Sequence, residues 1–421
     1  MATLGTGNAV VGQAGGPTVV INQSLVGVIQ EVQKYRHIRN LYGARHGVHG
    51  IINERFYDLL RQPTEMLELV AQTPAAALGS TRDKPDLEYC ERILNVFRKH
   101  DVRYFFYIGG NDSANTARIV NRLAIDAKYS LRVIHIPKTI DNDLLVTDHC
   151  PGYGSAAKFV ATAFIGDDLD NRALPGVKIN ILMGRNAGFI TAASILARQR
   201  EDDGPHLVYV PERPFTIDQF VADVEEVFDR YGRCVIAVSE GIRDEHGEEW
   251  VSKVSVLKQA NLEKDAFGNI QLSSGSGSLA DYLAGTLRAR CKKIKRVRAD
   301  TFGYLQRSIA GFYSPVDAWE ARLVGQMAVS YSVDAEIDAS VALTRLPGTT
   351  YAVGTKLVEL AAVAPDHEPT TKVLPDHYIT DRSNNIHASF REYVAPLVGE
   401  LPKVGWFEQI APAALRGESD R

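Results

Sequence analysis

The chain has 421 residues with a formal net charge of −4, 45% hydrophobic and 23% charged. Chains beyond ~250–300 residues usually divide into domains, so more than one core is expected, and the negative balance argues against a nucleic-acid-binding protein as a whole. The four cysteines, Cys90, Cys150, Cys234 and Cys291, form no CxxC pair, which argues against zinc and fits a reducing compartment.

The start, MATLGTGNAVVGQAGG, lacks the basic and apolar blocks of a signal peptide. No apolar run reaches the roughly 18 residues of a membrane span, so a cytoplasmic protein without membrane contact is expected. From there short apolar runs alternate with amphipathic segments. Strands are predicted at 9–13, 38–44, 104–108, 131–136, 177–183, 207–210, 234–238 and 295–298, and helices at 21–34, 87–100, 113–127, 155–171, 187–198 and 217–231. Such alternation predicts right-handed βαβ crossovers, hence an α/β fold with mostly parallel sheets and ligands beyond the carboxyl ends of the strands.

Residues 243–278 are polar and Gly/Ser-rich and read as an exposed hairpin or lid. The basic run RARCKKIKRVRAD (288–300) lacks interleaved aromatics. It reads as a solvated helix end with an arginine or two for a phosphorylated ligand. Beyond about residue 360, with Pro365, Pro369 and Pro375, the pattern becomes irregular, as in a C-terminal extension packed on the core.

Four segments have the chemistry of anion sites. In GQAGGPTVVIN a strand runs into Gly15 and Gly16 and then a helix, whose first N–H groups point at a phosphate. In YFFYIGGNDSANTA the turn at Gly109 and Gly110 is followed by Asn111, Asp112 and Ser113, and Asp112 puts a negative charge in a phosphate seat. In HIPKTIDNDL, Lys138 and Thr139 precede Asp141 and Asp143, so one carboxylate can act as a base while the other holds a metal. In ILMGRNAGF, Met183, Gly184 and Arg185 end a strand, placing a guanidinium for phosphate. SEG (239–241) and RADTFGYLQRS (298–308) follow; Tyr304 and Arg307 are one helical turn apart.

The ordered set GG…LGSTR…GGNDS…PKTIDND…MGR…SEG…GYLQR resembles the phosphofructokinases from about residue 9 to residue 325. That resemblance implies two similar Rossmann-like domains with the active site in the cleft between them. It implies a phosphoryl-donor domain at 1–150 (plus part of the C-terminal region) and a sugar-phosphate domain at 151–340, with 243–278 inserted and 341–421 as the extension. Asp141 would be the base and Asp143, with Asn111, would hold Mg²⁺. Lys138 and Arg185 would stabilise the transferring group. Thr139, Met183, Gly184, Arg185, Glu240, Tyr304 and Arg307 would bind the sugar phosphate, together with Arg298, which the family often supplies from a neighbouring subunit. A homodimer or homotetramer is therefore implied. Gly15, Gly16, Arg82, Gly110, Asp112 and Ser113 would hold the donor.

The resemblance also answers what Asp112 is for. ATP-using members carry a glycine there and another at the position of Lys138. An aspartate would intrude on the adenosine and α-phosphate region, and a lysine can neutralise the transferring phosphoryl group. The pair implies pyrophosphate as donor and fructose 6-phosphate as acceptor, in a reaction running readily both ways. Sedoheptulose 7-phosphate stays open as an acceptor, since it presents the same 1-hydroxyl end; Asp112 and Lys138 oppose ATP as donor. A silent regulatory subunit is opposed by the presence of Asp141 and Lys138, and a dinucleotide oxidoreductase by the missing GxGxxG. Three departures stand out. Asn111 replaces a metal-binding aspartate and is a weaker ligand for Mg²⁺. The first loop lacks the usual Pro-Gly. Val26 and Gln30 replace arginines that bind allosteric effectors in relatives, so nucleotide control there is not expected.

Overall fold

The computed structural model describes residues 5–257, 277–334 and 338–407. Residues 258–276 of the expected insertion and 408–421 of the expected extension lie outside the described residues.

The strands are β1 Gly7–Gln13, β2 Ile38–Ala44, β3 Phe56–Asp58, β4 Val102–Gly109, β5 Arg132–Pro137, β6 Val177–Leu182, β7 Leu207–Tyr209, β8 Cys234–Ser239, β9 Val297–Thr301, β10 Ala339–Arg345 and β11 Val353–Glu359. They form a seven-stranded sheet in the order β11-β10-β5-β4-β1-β2-β3 and a four-stranded sheet in the order β7-β8-β6-β9. Within the larger sheet only the edge strands β3 and β11 run antiparallel. The smaller sheet is wholly parallel. Among the described residues the fold is α/β with mostly parallel sheets, as expected.

Burial follows from the run lengths. In β4 Tyr104, Phe105, Phe106, Tyr107 and Ile108 are all at most 1% exposed, because helices cover both faces of a central parallel strand. Alternation is lost for the same reason in β8, where every residue is buried. Side-chain caps mark two helix starts: Asp86 accepts from the Tyr89 N–H and Thr216 from that of Gln219.

The predicted strand at 295–298 is found two residues later, at β9, because Val297 is the first residue to pair with Val177 of β6. The predicted helix at 187–198 is a short α-helix, Phe189–Ala193, continued by a 3₁₀ turn, Ser194–Ala197. The chain contains β3, β10, β11 and the helices Ser278–Arg290 and Pro315–Asp334 beyond the elements expected. The basic run at 288–300 begins in the last turn of Ser278–Arg290 and ends in β9.

Helix Pro315–Asp334 explains how the halves are joined. It follows the smaller sheet in sequence but packs on the larger one, against helix Ile21–Val32. The backbones touch at Gly27 and Gly325, where an added Cβ would lie 2.3 Å from Arg322 O and 2.1 Å from Ser24 O, respectively. At its start Asp317, 1% exposed, accepts from the N–H groups of Gly152 (2.8 Å) and Ser155 (2.9 Å), capping helix Tyr153–Ala173 from outside. Among the described residues no helix is long and apolar enough to cross a membrane.

Replacing this cap by Asp317→Ala leaves two buried N–H groups unpaired and should cost about 2–4 kcal/mol. A fall in the thermal unfolding midpoint, partly recovered in Asp317→Asn, is the expected outcome; an unchanged midpoint would remove Asp317 from the set of structural keystones.

Candidate active site

The carboxyl ends of β1, β4 and β5 lie side by side in the larger sheet, so three of the expected anion segments meet by topology alone. Residues 138–143 leave β5 as an irregular turn. Thr139 bridges to Gly152, and its Oγ1 accepts from the Asp141 N–H at 3.1 Å. Asn142 has a left-handed backbone (φ 59°), a conformation asparagine tolerates. Burial raises the pKa of both Asp141 and Asp143, and the charge of Asp143 raises that of Asp141 further. Asp141 is the more telling: its Oδ1 is buried and has no hydrogen-bond partner among the described residues. A carboxylate so placed takes up a proton more readily than a solvated one.

Lys138 is 2% exposed, and its Nζ donates to the carbonyl of Gly16 at 2.7 Å. Burial, then the charge of Arg307, lower its pKa to about 8, against the pull of Asp141 and Asp143. Gly16 is the meeting point of the two halves. A Cβ there would stand 2.5 Å from Nη1 of Arg307, which belongs to the short helix Leu305–Ser308 after β9. Arg307 lies over the Tyr304 ring at 4.6 Å, and its buried Nε has no hydrogen-bond partner among the described residues. Its pKa is lowered by burial and then by Arg82, while Asp141 and Glu240 oppose the shift. Lys138, Arg82 and Arg307 thus form one positive surface facing the Asp141–Asp143 pair.

The turn after β4 is held from behind. The Gly109 carbonyl accepts from the Lys138 N–H (3.0 Å) and faces Nε2 of His135 (2.9 Å), whose Nδ1 meets the Ser340 hydroxyl of β10 at 2.8 Å. A carbonyl can only accept, so the proton is on Nε2, and burial keeps this histidine neutral by lowering its pKa to about 4. Ser113 is buried in the first turn of helix Asn111–Asp126. Asp112 is exposed, 3.3 Å from the Lys84 ammonium.

The donor set suits a hard divalent cation. Asn111 Nδ2 donates to Asp143 Oδ2 at 2.8 Å, which leaves its Oδ1 buried and unpartnered beside the carboxylates. Among the described residues no three His, Cys, Asp or Glu side chains group as a metal cage. Magnesium does not require one, since it takes one or two protein oxygens and completes its shell with water and phosphate.

From the smaller sheet come the MGR and SEG turns. Met183 donates its N–H to Oε1 of Gln306 (3.2 Å), and Ser239 Oγ donates to the Gly184 carbonyl (2.7 Å). Burial raises the Glu240 pKa to about 7, with Arg185 opposing. The Arg185 guanidinium is turned to Glu249, at 3.1 Å, outside the Lys138–Arg307 group. Arg298 is exposed on the edge strand β9, and its side chain makes no hydrogen bond or ion pair with the described residues.

The phosphofructokinase model matches residues 8–332, which takes in every one of these segments. The chain belongs to the phosphofructokinase family. A Rhodospirillum rubrum protein named pyrophosphate–fructose 6-phosphate 1-phosphotransferase is 52% identical over 393 residues, covering 93% of this chain and 94% of that one. The crystal structure of the pyrophosphate-dependent phosphofructokinase of Marinobacter aquaeolei superposes with a TM-score of 0.80 at 32% identity, covering 96% of this chain and 94% of that one. For the Nitrosospira multiformis enzyme of the same name the TM-score is 0.82 at 30% identity, with 96% and 95% covered.

Several residues of this phosphofructokinase site escaped the sequence. Lys84 follows LGSTR by two positions and carried no motif of its own. His135 and Gln306 lay inside quoted motifs, but only the fold gives them partners. Glu249 lies in the polar insertion, where charge is the rule.

With its pKa lowered to about 8 by burial and Arg307, Lys138 should titrate in side-chain ¹³C NMR with a midpoint near 8, as a cation below and an amine above. An ordinary lysine titrates near 10.4. A Lys138 midpoint at that higher value would mean the ammonium is solvated.

Proposed function

We propose that the chain transfers a phosphoryl group reversibly between pyrophosphate and the 1-hydroxyl of fructose 6-phosphate, giving fructose 1,6-bisphosphate and phosphate. The observation that carries this reading is the combination of Asp112, projecting from the first helical turn beyond Gly110, with Lys138 buried against Gly16. The name of the Rhodospirillum rubrum relative supports the same donor and acceptor.

Asp141 takes the proton from the 1-hydroxyl as the oxygen attacks the near phosphorus. The new P–O bond forms as the anhydride bond breaks, and phosphate leaves with the electron pair. Its unpartnered oxygen and raised pKa make Asp141 a stronger base than a solvated carboxylate. Lys138 and Arg307 stabilise charge on the transferring group from fixed, desolvated positions. Asn111 Oδ1 and Asp143 would hold Mg²⁺, which supplies charge neutralisation at the phosphoryl oxygens. Thr139, Met183, Gly184, Glu240 and Tyr304 face the sugar phosphate. Gly15, Arg82, Gly110 and Ser113 seat the distal phosphate. Arg185 joins once substrate competes with Glu249 for its guanidinium.

With fructose 6-phosphate, Mg²⁺ and coupled aldolase, pyrophosphate should support turnover and ATP should not; Lys138→Met should lower kcat by about 10²–10³-fold. Comparable turnover with ATP would sink the role given to Asp112. Sedoheptulose 7-phosphate in a parallel phosphate-release assay measures acceptor breadth.

The free, exposed Arg298 on an edge strand supports a homo-oligomer in which it serves a neighbouring copy's site. Co-expressing Arg298→Ala with Asp141→Asn should then restore about a quarter of the activity, since half of statistically mixed dimers carry one intact site. No restoration would place Arg298 in its own chain's site.

A further inference from the structure

Asp141 and Asp143 act as a pair only if the residue between them is held. Asn142 directs its side chain away from the cleft and into protein, and both of its polar atoms are used. Oδ1 accepts from the Cys150 N–H at 3.0 Å, and Nδ2 donates to the Tyr393 hydroxyl at 2.7 Å. Tyr393 in turn donates its own proton to the carbonyl of Asp148 at 2.8 Å. The hydroxyl therefore ties one end of the loop, at 142, to the other, at 148.

A second tie comes from Lys372. Its backbone N–H donates to the carbonyl of Asp143 (2.8 Å), and its Nζ donates to the carbonyls of Asp148 (2.8 Å) and Thr147 (3.2 Å). Tyr393 is anchored by ring contacts to Phe390 and Phe189 in the smaller-sheet core, and by the Arg345 guanidinium at 4.9 Å. Tyr393 and Lys372 both lie beyond residue 332, outside the part of the chain that the family model describes. The family's own motif is thus braced by a segment that the family model does not contain.

We propose that the C-terminal segment 372–393 is a positioning element for the reaction, in which the Tyr393 hydroxyl and the Lys372 backbone fix the Asp141-Asn142-Asp143 turn in its left-handed form and so set the two carboxylates against the transferring group. Both act through Asn142 and the carbonyls of 143, 147 and 148. This rests on the reaction proposed above, so the test needs one readout that does not depend on it.

That readout is amide hydrogen exchange, by mass spectrometry, on peptides spanning 139–150 in the full-length protein. Tyr393→Phe keeps the ring and removes only the hydroxyl. Losing one buried hydrogen-bonding group of ~1–1.5 kcal/mol should speed exchange there about tenfold, while peptides from β6 and β8 stay unchanged. In the assay kcat should fall about tenfold with both KM values within about twofold, as expected when positioning rather than binding is lost. Combining Tyr393→Phe with Asn142→Ala should be no worse than Asn142→Ala alone, because both cut one link. Unchanged exchange at 139–150, or additive losses in the double variant, would overturn the proposal. An inactive wild type showing the expected exchange would overturn the reaction and leave the brace standing.

Discussion

A lysine ammonium almost wholly removed from water, held by one backbone carbonyl, governs the arrangement of this site. Lys138 is 2% exposed and rests on Gly16. An unpaired charge in that position would discharge or draw in water. Two carboxylates close by on the same turn oppose that, and Arg307 competes for the same space from the other half of the molecule. The balance favours an ammonium that is charged but weakly held, which suits a group meant to meet a polyanion. Asp141 stands in the reciprocal position, a buried carboxylate whose charge is penalised by Asp143 and partly relieved by Lys138 and Arg307. Substrate phosphates would complete the positive side, and a hydroxyl proton the negative one.

Holding such a cluster requires a scaffold that does not yield, and the chain builds it by crossing between its halves. Helix Pro315–Asp334 returns from the smaller sheet to the larger and caps Tyr153–Ala173 on the way. Strands β10 and β11 then extend the larger sheet beyond β5, placing Ser340 beside His135. That histidine, kept neutral, reaches the Gly109 carbonyl, so the glycine turn is fixed from behind as well as by its own helix. The last segment turns back to the smaller-sheet core and holds the 141–143 turn through Asn142. Each crossing adds long-range hydrogen bonds, so turns distant in sequence are held from several elements at once.

The strand–helix alternation and the polar motifs were legible in the sequence because they are local. A central parallel strand needs a continuous apolar run, and YFFYIG supplies one; a turn against phosphate needs glycine, and Gly15, Gly16, Gly109 and Gly110 are there. The edges of the sheet were less legible. β3 is only three residues long, and β11 has no buried residue to mark it. The position of Arg185 was not legible either, since its partner Glu249 is a carboxylate among many in a polar stretch.

What the sequence determined by itself was the chemistry: which side chains carry charge and which turns admit a phosphate. Those are properties of residue type and near-neighbour spacing. Only the tertiary structure decided which groups face one another. Arg307 reaches Gly16 across 291 positions, taking 16 from 307, and Tyr393 reaches Asn142 across 251. Such pairings depend on where two sheets and a returning helix put their ends, and no local pattern encodes that. Burial, and with it the raised pKa of Asp141 and the lowered pKa of Lys138, is a property of the packed structure alone.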